Sequence, residues 1–349
     1  MEIQIPCLLR IKPNALYKLG KYLRKAGFEK VALFYGEGIH SLLGERVSIS
    51  LDSSEIRVVH EETVSGNTVE QVLKSAWSLP RGTDALVAVG GGMAVDYAKY
   101  IAFVTQMPVI SVPTAISNDG FASPMASLYV EGKRKSLKAR IPYGVILDTD
   151  VISRSPERFS YSGIGDLVSK YSAVQDWKLA YHNKGEPVND FAVMISLQSV
   201  ENLVNYPVKS INDLDFLRLI CGALVMSGVA MEVSGSSRPA SGSEHLISHA
   251  YDALAKKPDM HGLQVGVATL AVTWLQEHPK RQLIMDVFEQ TGFNTWMAAH
   301  PLDREDFIRA VETAPSVKEG YYTVLSDTEK RRTLIRDLET NSFWDRYLR

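Results

Sequence analysis

Within the first 150 residues, short apolar runs rich in β-branched residues each precede an amphipathic stretch. VALFY (31–35) leads into GEGIHSLLGERV, EIRVVH (55–60) into TVEQVLKSAWSL, and DALVAVGGG (84–92) into MAVDYAKYIAFV, after which PVISVPT (108–114) follows. Continuous apolar runs alternating with amphipathic helices predict a parallel sheet covered on both faces, because parallel neighbours need a crossover and the crossover helices bury the sheet. YVEGKRKSLKA (129–139) reads as two strands around Glu131-Gly132, and YGVILDTDVI (143–152) as a further strand. From about residue 155 the texture changes to long helical patterns at 166–184, 190–206, 214–233 and 262–278. The expectation is an α/β domain over residues 1–155 and an all-helical domain over 156–349, the architecture of a two-domain enzyme with a cleft between its halves.

Composition narrows the class. With 45% hydrophobic and 22% charged residues and a formal net charge of −2, the chain is an ordinary globular one. It lacks the basic excess that a nucleic-acid or anionic-membrane partner requires. The densest basic run, GKRKSLKAR (132–140), reads as a solvated hairpin turn. Two cysteines, Cys7 and Cys221, are too few for a disulfide framework or a cysteine zinc module and fit a reducing cytoplasm. The N-terminus has no long apolar segment, and no window is read as approaching the roughly 20 apolar residues of a spanning helix. A cytoplasmic, unanchored protein acting on a small molecule is expected, with self-association into a homo-oligomer open and no residue marking an interface.

Three glycines, Gly90, Gly91 and Gly92, stand between a buried strand and a helix. Glycine there lets backbone N–H groups approach a phosphate at the helix N-terminus, although a tight strand-to-helix turn also needs glycine for steric reasons alone. No G-x-G-x-x-G is present, and the glycines follow the third predicted strand, so the common dinucleotide fingerprint is disfavoured. The next strand also ends in a polar loop, SVPTAISNDGFASP (111–124), at the sheet edge where ligands bind. A plain polar loop with an Asn-Asp-Gly turn is the alternative.

The segment RPASGSEHLISHA (238–250) puts His245 and His249 one helical turn apart, and His261 opens the following helix. Three imidazoles, or two with a carboxylate, suit zinc, which in catalytic sites takes three protein ligands and keeps one place open. The H-E-x-x-H motif is absent, since Leu246, Ile247 and Ser248 intervene. The best carboxylate is Asp166 in SGIGDLVSKY, expected in the first turn of a helix after two glycines, where a dipole-compensating charge is the competing reading.

Together these segments resemble the sn-glycerol-1-phosphate dehydrogenases, relatives of glycerol dehydrogenases, iron-containing alcohol dehydrogenases and 3-dehydroquinate synthases. VAVGGGMAVDYAK, SVPTAISNDGFASPMAS, KARIPYGVILDTDVI, SGIGDLVSKYSAVQDWKLA and SGSSRPASGSEHLISHAYD with MHGLQVGV carry the resemblance between residues 84 and 267, with a weaker echo in ETAPSVKEGYYTVL (312–325). It implies a Rossmann-like, dehydroquinate synthase-like α/β domain with parallel sheet plus an all-α C-terminal domain. It further implies zinc on Asp166, His245 and His261, and His249 beside the metal as proton relay or substrate contact. Gly90, Gly91, Gly92 and Asp96 fall on the pyrophosphate turn of NAD or NADP. Thr114, Ser117 and Asp119 lie in the loop that holds the nicotinamide and closes over substrate. Lys170 stands where the iron enzymes place a further histidine, which favours a three-residue zinc site. Two departures stand out: Asn118 replaces a histidine of many members, and Glu37, at the end of FYGEG (34–38), is the nearest residue for the adenosine ribose.

The implied reaction is reversible hydride transfer between NAD(P) and dihydroxyacetone phosphate, giving sn-glycerol 1-phosphate, with His249, Asp119 and Lys170 as catalytic-site residues. Arg238 and Lys170 are the nearest cations in sequence for a substrate phosphate. The alternatives are a dehydrogenase of glycerol or another polyol or cyclitol, a 3-dehydroquinate synthase-like lyase, and a non-catalytic nucleotide-binding protein.

Overall fold

The computed structural model describes residues 3–349. In the first part, β1 (Leu8–Lys12) and α1 (Leu19–Lys25) precede β2 (Lys30–Gly36), α2 (Ile39–Asp52), β3 (Arg57–Val64) and α3 (Val69–Ser78). β4 (Ala85–Gly90), α4 (Gly92–Thr105), β5 (Val109–Pro113), the hairpin β6 (Met125–Val130) and β7 (Lys133–Lys138), β8 (Gly144–Asp148) and the single turn α5 (Thr149–Ile152) complete it. The rest is helical: α6 (Glu157–Val168), α7 (Lys170–Lys184), α8 (Asp190–Asn205), α9 (Leu214–Ser234), α10 (Ser243–Leu254) and α11 (His261–Leu275). The chain closes with α12 (Arg281–Thr291), α13 (Phe293–Ala299), α14 (Arg304–Thr313) and α15 (Thr328–Thr340). One compact unit extends to Ile116 and resumes over Gly120–Ser155, while Ser117–Asp119 belongs with Pro156–Arg349 in the other.

The six-stranded sheet has the order β1-β8-β5-β4-β2-β3, and every neighbouring pair is parallel. Alternate residues Val31, Leu33 and Tyr35 of β2, with Val87, Val89, Ile110, Val112 and Ile146, share a core with Leu19 and Leu23 of α1 and Val47 and Leu51 of α2. The intervening Ala32, Phe34, Leu86 and Ala88 are buried as well, and Phe34 meets Tyr97 of α4 at 6.0 Å between ring centroids. Burial on both faces is why these strands are apolar throughout, and each Val, Leu or Phe so buried contributes about 1.5–3 kcal/mol. From β2 the chain crosses to β3 on one side of the sheet, whereas from β4 it crosses to β5 on the other. The carboxyl ends of β2 and β4 therefore form the switch point at which open α/β sheets take ligands.

Four sequence expectations need correction. β1 was not anticipated: LLRIK is short and interrupted by charge, and its partner β8 comes some 130 residues later, so the glycine turn follows the fourth strand. Only Gly144–Asp148 of segment 143–152 is strand, because the Asp148 side chain caps the turn that follows. α9 is 21 residues long with a most apolar window of mean hydropathy 1.8, so a window of spanning length and composition does exist; 67% of it is buried, as in a core helix. Finally, the helix expected over 166–184 is two, parted at Ser169, and Asp166 lies in the last turn of α6 instead of a first turn.

That last difference has a packing cause. A Cβ on Gly165 would overlap the carbonyl of Gly262 in α11, a Cβ on Gly262 would overlap that of Ser162, and one on Gly266 would stand 3.1 Å from the Gly165 Cα. The glycines of SGIGD weaken local helix propensity but let α6 and α11 touch backbone to backbone. The hairpin is as expected, with Glu131 (φ 51°) and Gly132 (φ 74°) in the mirror-image turn that joins twisted strands.

Candidate functional site

At the switch point Gly90 closes β4 against Gly36 of β2, where a Cβ on Gly90 would sit 2.9 Å from the Gly36 nitrogen. This glycine has a steric reason. Gly91 and Gly92 have none, since a Cβ on either would meet nothing within 4 Å and neither backbone is left-handed. Both are exposed at the N-terminus of the 14-residue α4, a cradle that side chains would fill and that suits a phosphate. Thr114 donates its backbone N–H to the Gly90 carbonyl at 3.0 Å, and Glu37 is exposed one residue beyond β2. Asp96 is not on the turn: its carboxylate accepts from the Ser127 amide at 3.1 Å and pairs with buried Lys99 at 3.0 Å, tying α4 to β6.

In the helical unit, ligand atoms of Asp166, His245 and His261 lie within 4.8 Å of one another. Asp166 is fully buried and its two oxygens differ in role. Oδ2 accepts from the Asp119 amide at 3.1 Å and pairs with Lys170 at 3.3 Å, whereas Oδ1 has no hydrogen-bond partner and faces Nε2 of His245 at 3.4 Å. An orphaned buried carboxylate oxygen is costly, and a cation bound there removes the cost.

The histidines are turned to the same point. Nδ1 of His245 donates to Glu244 at 2.8 Å, which leaves the lone pair on Nε2. For His261, the Gln264 amide nitrogen donates to Asp252 at 2.9 Å and to the Asp259 carbonyl at 2.7 Å, so its oxygen accepts from Ser248 at 2.6 Å. Ser248 in turn accepts from Nδ1 of His261 at 2.9 Å, and Nε2 again carries the lone pair. Two imidazoles and one carboxylate presented in this way fit a divalent metal with a position left open.

The charges agree with that fit. Burial alone would push the Asp166 carboxyl up, but the Lys170 ammonium and then the imidazoles hold it well below the usual range. Burial would lower His245, yet Asp166 and Glu244 outweigh it and raise the ring to about 9, so the Nε2 lone pair is offered to a metal only as that nitrogen's proton leaves. The pocket thus favours positive charge at the place where the ligand atoms converge.

Of the other expected residues, His249 is exposed on α10, its ring 5.5 Å from that of His261 at an interplanar angle of 25°. Ser117 accepts from Ser162 of α6 at 2.7 Å through its carbonyl. Asp119 accepts from Ser227 of α9 at 2.6 Å and pairs with Lys170 at 3.1 Å. Lys170 is wholly buried and shared between Asp119 and Asp166. Arg238 is also spent: both its Nε and Nη2 donate to Glu186, Nη1 donates to the Tyr322 carbonyl at 2.9 Å, and the guanidinium lies 3.5 Å over the Tyr321 ring. Neither cation is available to a substrate phosphate. Sequence reading passed over Glu244, Ser248 and Gln264, although each lies within three residues of a candidate ligand, as well as the small-residue spacing of Gly262 and Gly266.

A parallel sheet with a switch-point glycine turn and a helical unit holding an Asp-His-His cluster together define the iron-containing alcohol dehydrogenase class of fold. The family model described as iron-containing alcohol dehydrogenase matches residues 10–156. Among solved structures, a probable glycerol dehydrogenase from Sinorhizobium meliloti superposes with a TM-score of 0.77 at 21% identity, covering 98% of this chain and 99% of that one. Glycerol dehydrogenase from Schizosaccharomyces pombe gives 0.74 at 19% identity, covering 100% and 94%. The chain belongs to the glycerol-1-phosphate dehydrogenase family: it is 35% identical to glycerol-1-phosphate dehydrogenase [NAD(P)+] of Staphylothermus marinus over 93% of each chain. It is 36% identical to that of Methanothermobacter thermautotrophicus over 93% of this chain and 94% of the relative.

Proposed function

We propose that this protein is a zinc-dependent, NAD(P)-linked dehydrogenase that interconverts dihydroxyacetone phosphate and sn-glycerol 1-phosphate, a cytoplasmic enzyme with a small-molecule substrate. Residues 1–155 serve the nucleotide and 156–349 the metal and substrate. The observation that carries the reading is the buried cluster of Asp166, His245 and His261, in a chain related over most of its length to enzymes of that name. Zinc is preferred to iron because Lys170, one turn beyond Asp166, carries an ammonium that repels a metal instead of a fourth ligand.

When bound, the metal polarises a carbonyl and the reduced nicotinamide supplies hydride. The chain's own residues do the rest. Asp166, His245 and His261 would hold the metal, and Lys170 with the Asp119 amide anchors Oδ2 of Asp166. The N–H groups after Gly91 bind the pyrophosphate, and Glu37 accepts from the adenosine ribose. His249, exposed and stacked beside His261, exchanges the proton at the substrate oxygen. Thr114 and Ser117 lie on the N-terminal side of Asp119 in the loop that holds the nicotinamide.

The test is oxidation of NADH and of NADPH by zinc-loaded protein offered dihydroxyacetone phosphate, with dihydroxyacetone as control. Turnover restricted to the phosphate ester supports the reading and names the cofactor. A second reading, an enzyme of an unphosphorylated polyol, is favoured by the commitment of both Arg238 and Lys170 to protein carboxylates. Turnover of dihydroxyacetone at a similar rate would select it.

A further inference from the structure

We infer that Glu244 is a positioning residue of the metal site, one that fixes the His245 ring and strengthens metal binding through it. The inference rests on the metal reading of Asp166, His245 and His261 given above. The Glu244 side chain is wholly buried, and both of its oxygens are in use. Oε1 accepts from the Gly242 amide at 2.6 Å and from Nδ1 of His245 at 2.8 Å, while Oε2 accepts from Ser172 at 2.7 Å. Among the described residues its ion-pair partner is His245, with no lysine or arginine in that place.

A second buried carboxylate, Asp176, takes the next amide of the same helix start, accepting from Ser243 at 2.7 Å. Asp176 does not touch the imidazole, so of the two buried acids at this end of α10 only Glu244 reaches His245, through Nδ1, and a cation on the far side of that ring would offset its burial. Nε2 of His245 points to just such a place, the convergence of the candidate ligands. The other imidazole is held differently: His261 leans on Ser248 and Gln264, a neutral relay. A carboxylate behind an imidazole makes its far nitrogen a stronger donor than a hydroxyl does. Glu244 thus makes His245 the tighter of the two imidazole ligands.

Glu244→Gln isolates the charge. The glutamine oxygen keeps Gly242 and His245 as donors, and its amide nitrogen donates to Ser172, whose hydroxyl already lies 2.9 Å from the Ser169 carbonyl and turns its proton there. Zinc affinity is measured on the full chain by competition with a fluorescent chelator, alongside the urea midpoint of the metal-free protein and the visible spectrum of the cobalt(II) form. Expected are a zinc Kd raised ~10–100-fold, an altered cobalt band and an unchanged metal-free midpoint. A Kd within about twofold of wild type overturns the inference, because outer partners of this kind normally move it by more. So does a loss of affinity matched by a fall in the metal-free midpoint, which makes Glu244 a fold-holding residue only. Failure of the metal reading itself would show in the wild type, as protein that never competes with the chelator, and would take this inference with it.

Discussion

Gly165 of α6 and Gly262 of α11 meet backbone to backbone, so closely that a side chain on Gly165 would overlap the Gly262 carbonyl. Asp166 and His261 are their immediate neighbours, and this contact sets the distance between two of the candidate ligands. Gly262→Ala would drive its methyl into the Ser162 carbonyl and part the two helices. The expected cost is about 1–3 kcal/mol or more, read from the urea midpoint, together with loss of bound zinc on gel filtration. A variant that keeps stoichiometric zinc would separate the helix contact from the site.

Asp166→Ala removes a candidate ligand and leaves buried Lys170 with Asp119 as its remaining carboxylate. Breaking a buried pair in this way destabilises by about 3–5 kcal/mol. The variant is expected to come through gel filtration without zinc and without dehydrogenase activity. Zinc content equal to wild type would remove Asp166 from the metal site.

Glu37 is exposed at the tip of β2, beside the Gly36 and Gly90 contact. A carboxylate there accepts from a ribose hydroxyl and repels a 2′-phosphate. Glu37→Ser is expected to raise the ratio of kcat/KM for NADPH to that for NADH by about tenfold, or about 1.4 kcal/mol. An unchanged ratio places the ribose contact elsewhere.

His278 is buried, and its ring is held below the ordinary 6.5, first by burial and then by Lys280 and Lys178. The unfolded chain therefore binds the proton more readily than the folded one. The stability this group contributes is present above pH 6.5 and is lost as pH falls through its folded value. His278→Gln is expected to make the fall of the urea midpoint between pH 7 and about pH 5 shallower than in wild type.

The two cysteines should differ sharply toward a thiol reagent. Cys7 is exposed, whereas Cys221 is buried in α9 and burial pushes its thiol up to about 12. Native protein is expected to titrate with only Cys7, and Cys221 to react on unfolding in denaturant. Two fast-reacting thiols in native protein would show that α9 opens readily.

Glu37, Gly91, Gly92, His245, His249 and His261 stand out as candidates in the sequence because their signals are local. A strand ends, a glycine turn begins, two histidines recur at a helical interval, and a third opens the next helix. The parallel sheet was legible for the same reason, since burial on both faces writes itself into continuous apolar runs. What periodicity could not show was Asp166 at the end of α6, Lys170 locked between two carboxylates, Arg238 spent on Glu186, or β1 added beside β8. Each depends on a partner distant in the chain or on a glycine whose purpose is a neighbour's backbone, and local propensity carries no record of either. The sequence by itself determined the class of fold and named the candidates for the chemistry. Only the tertiary structure decided how they are charged, oriented and paired, because hydrogen bonds and ion pairs depend on distances that close when the helices pack.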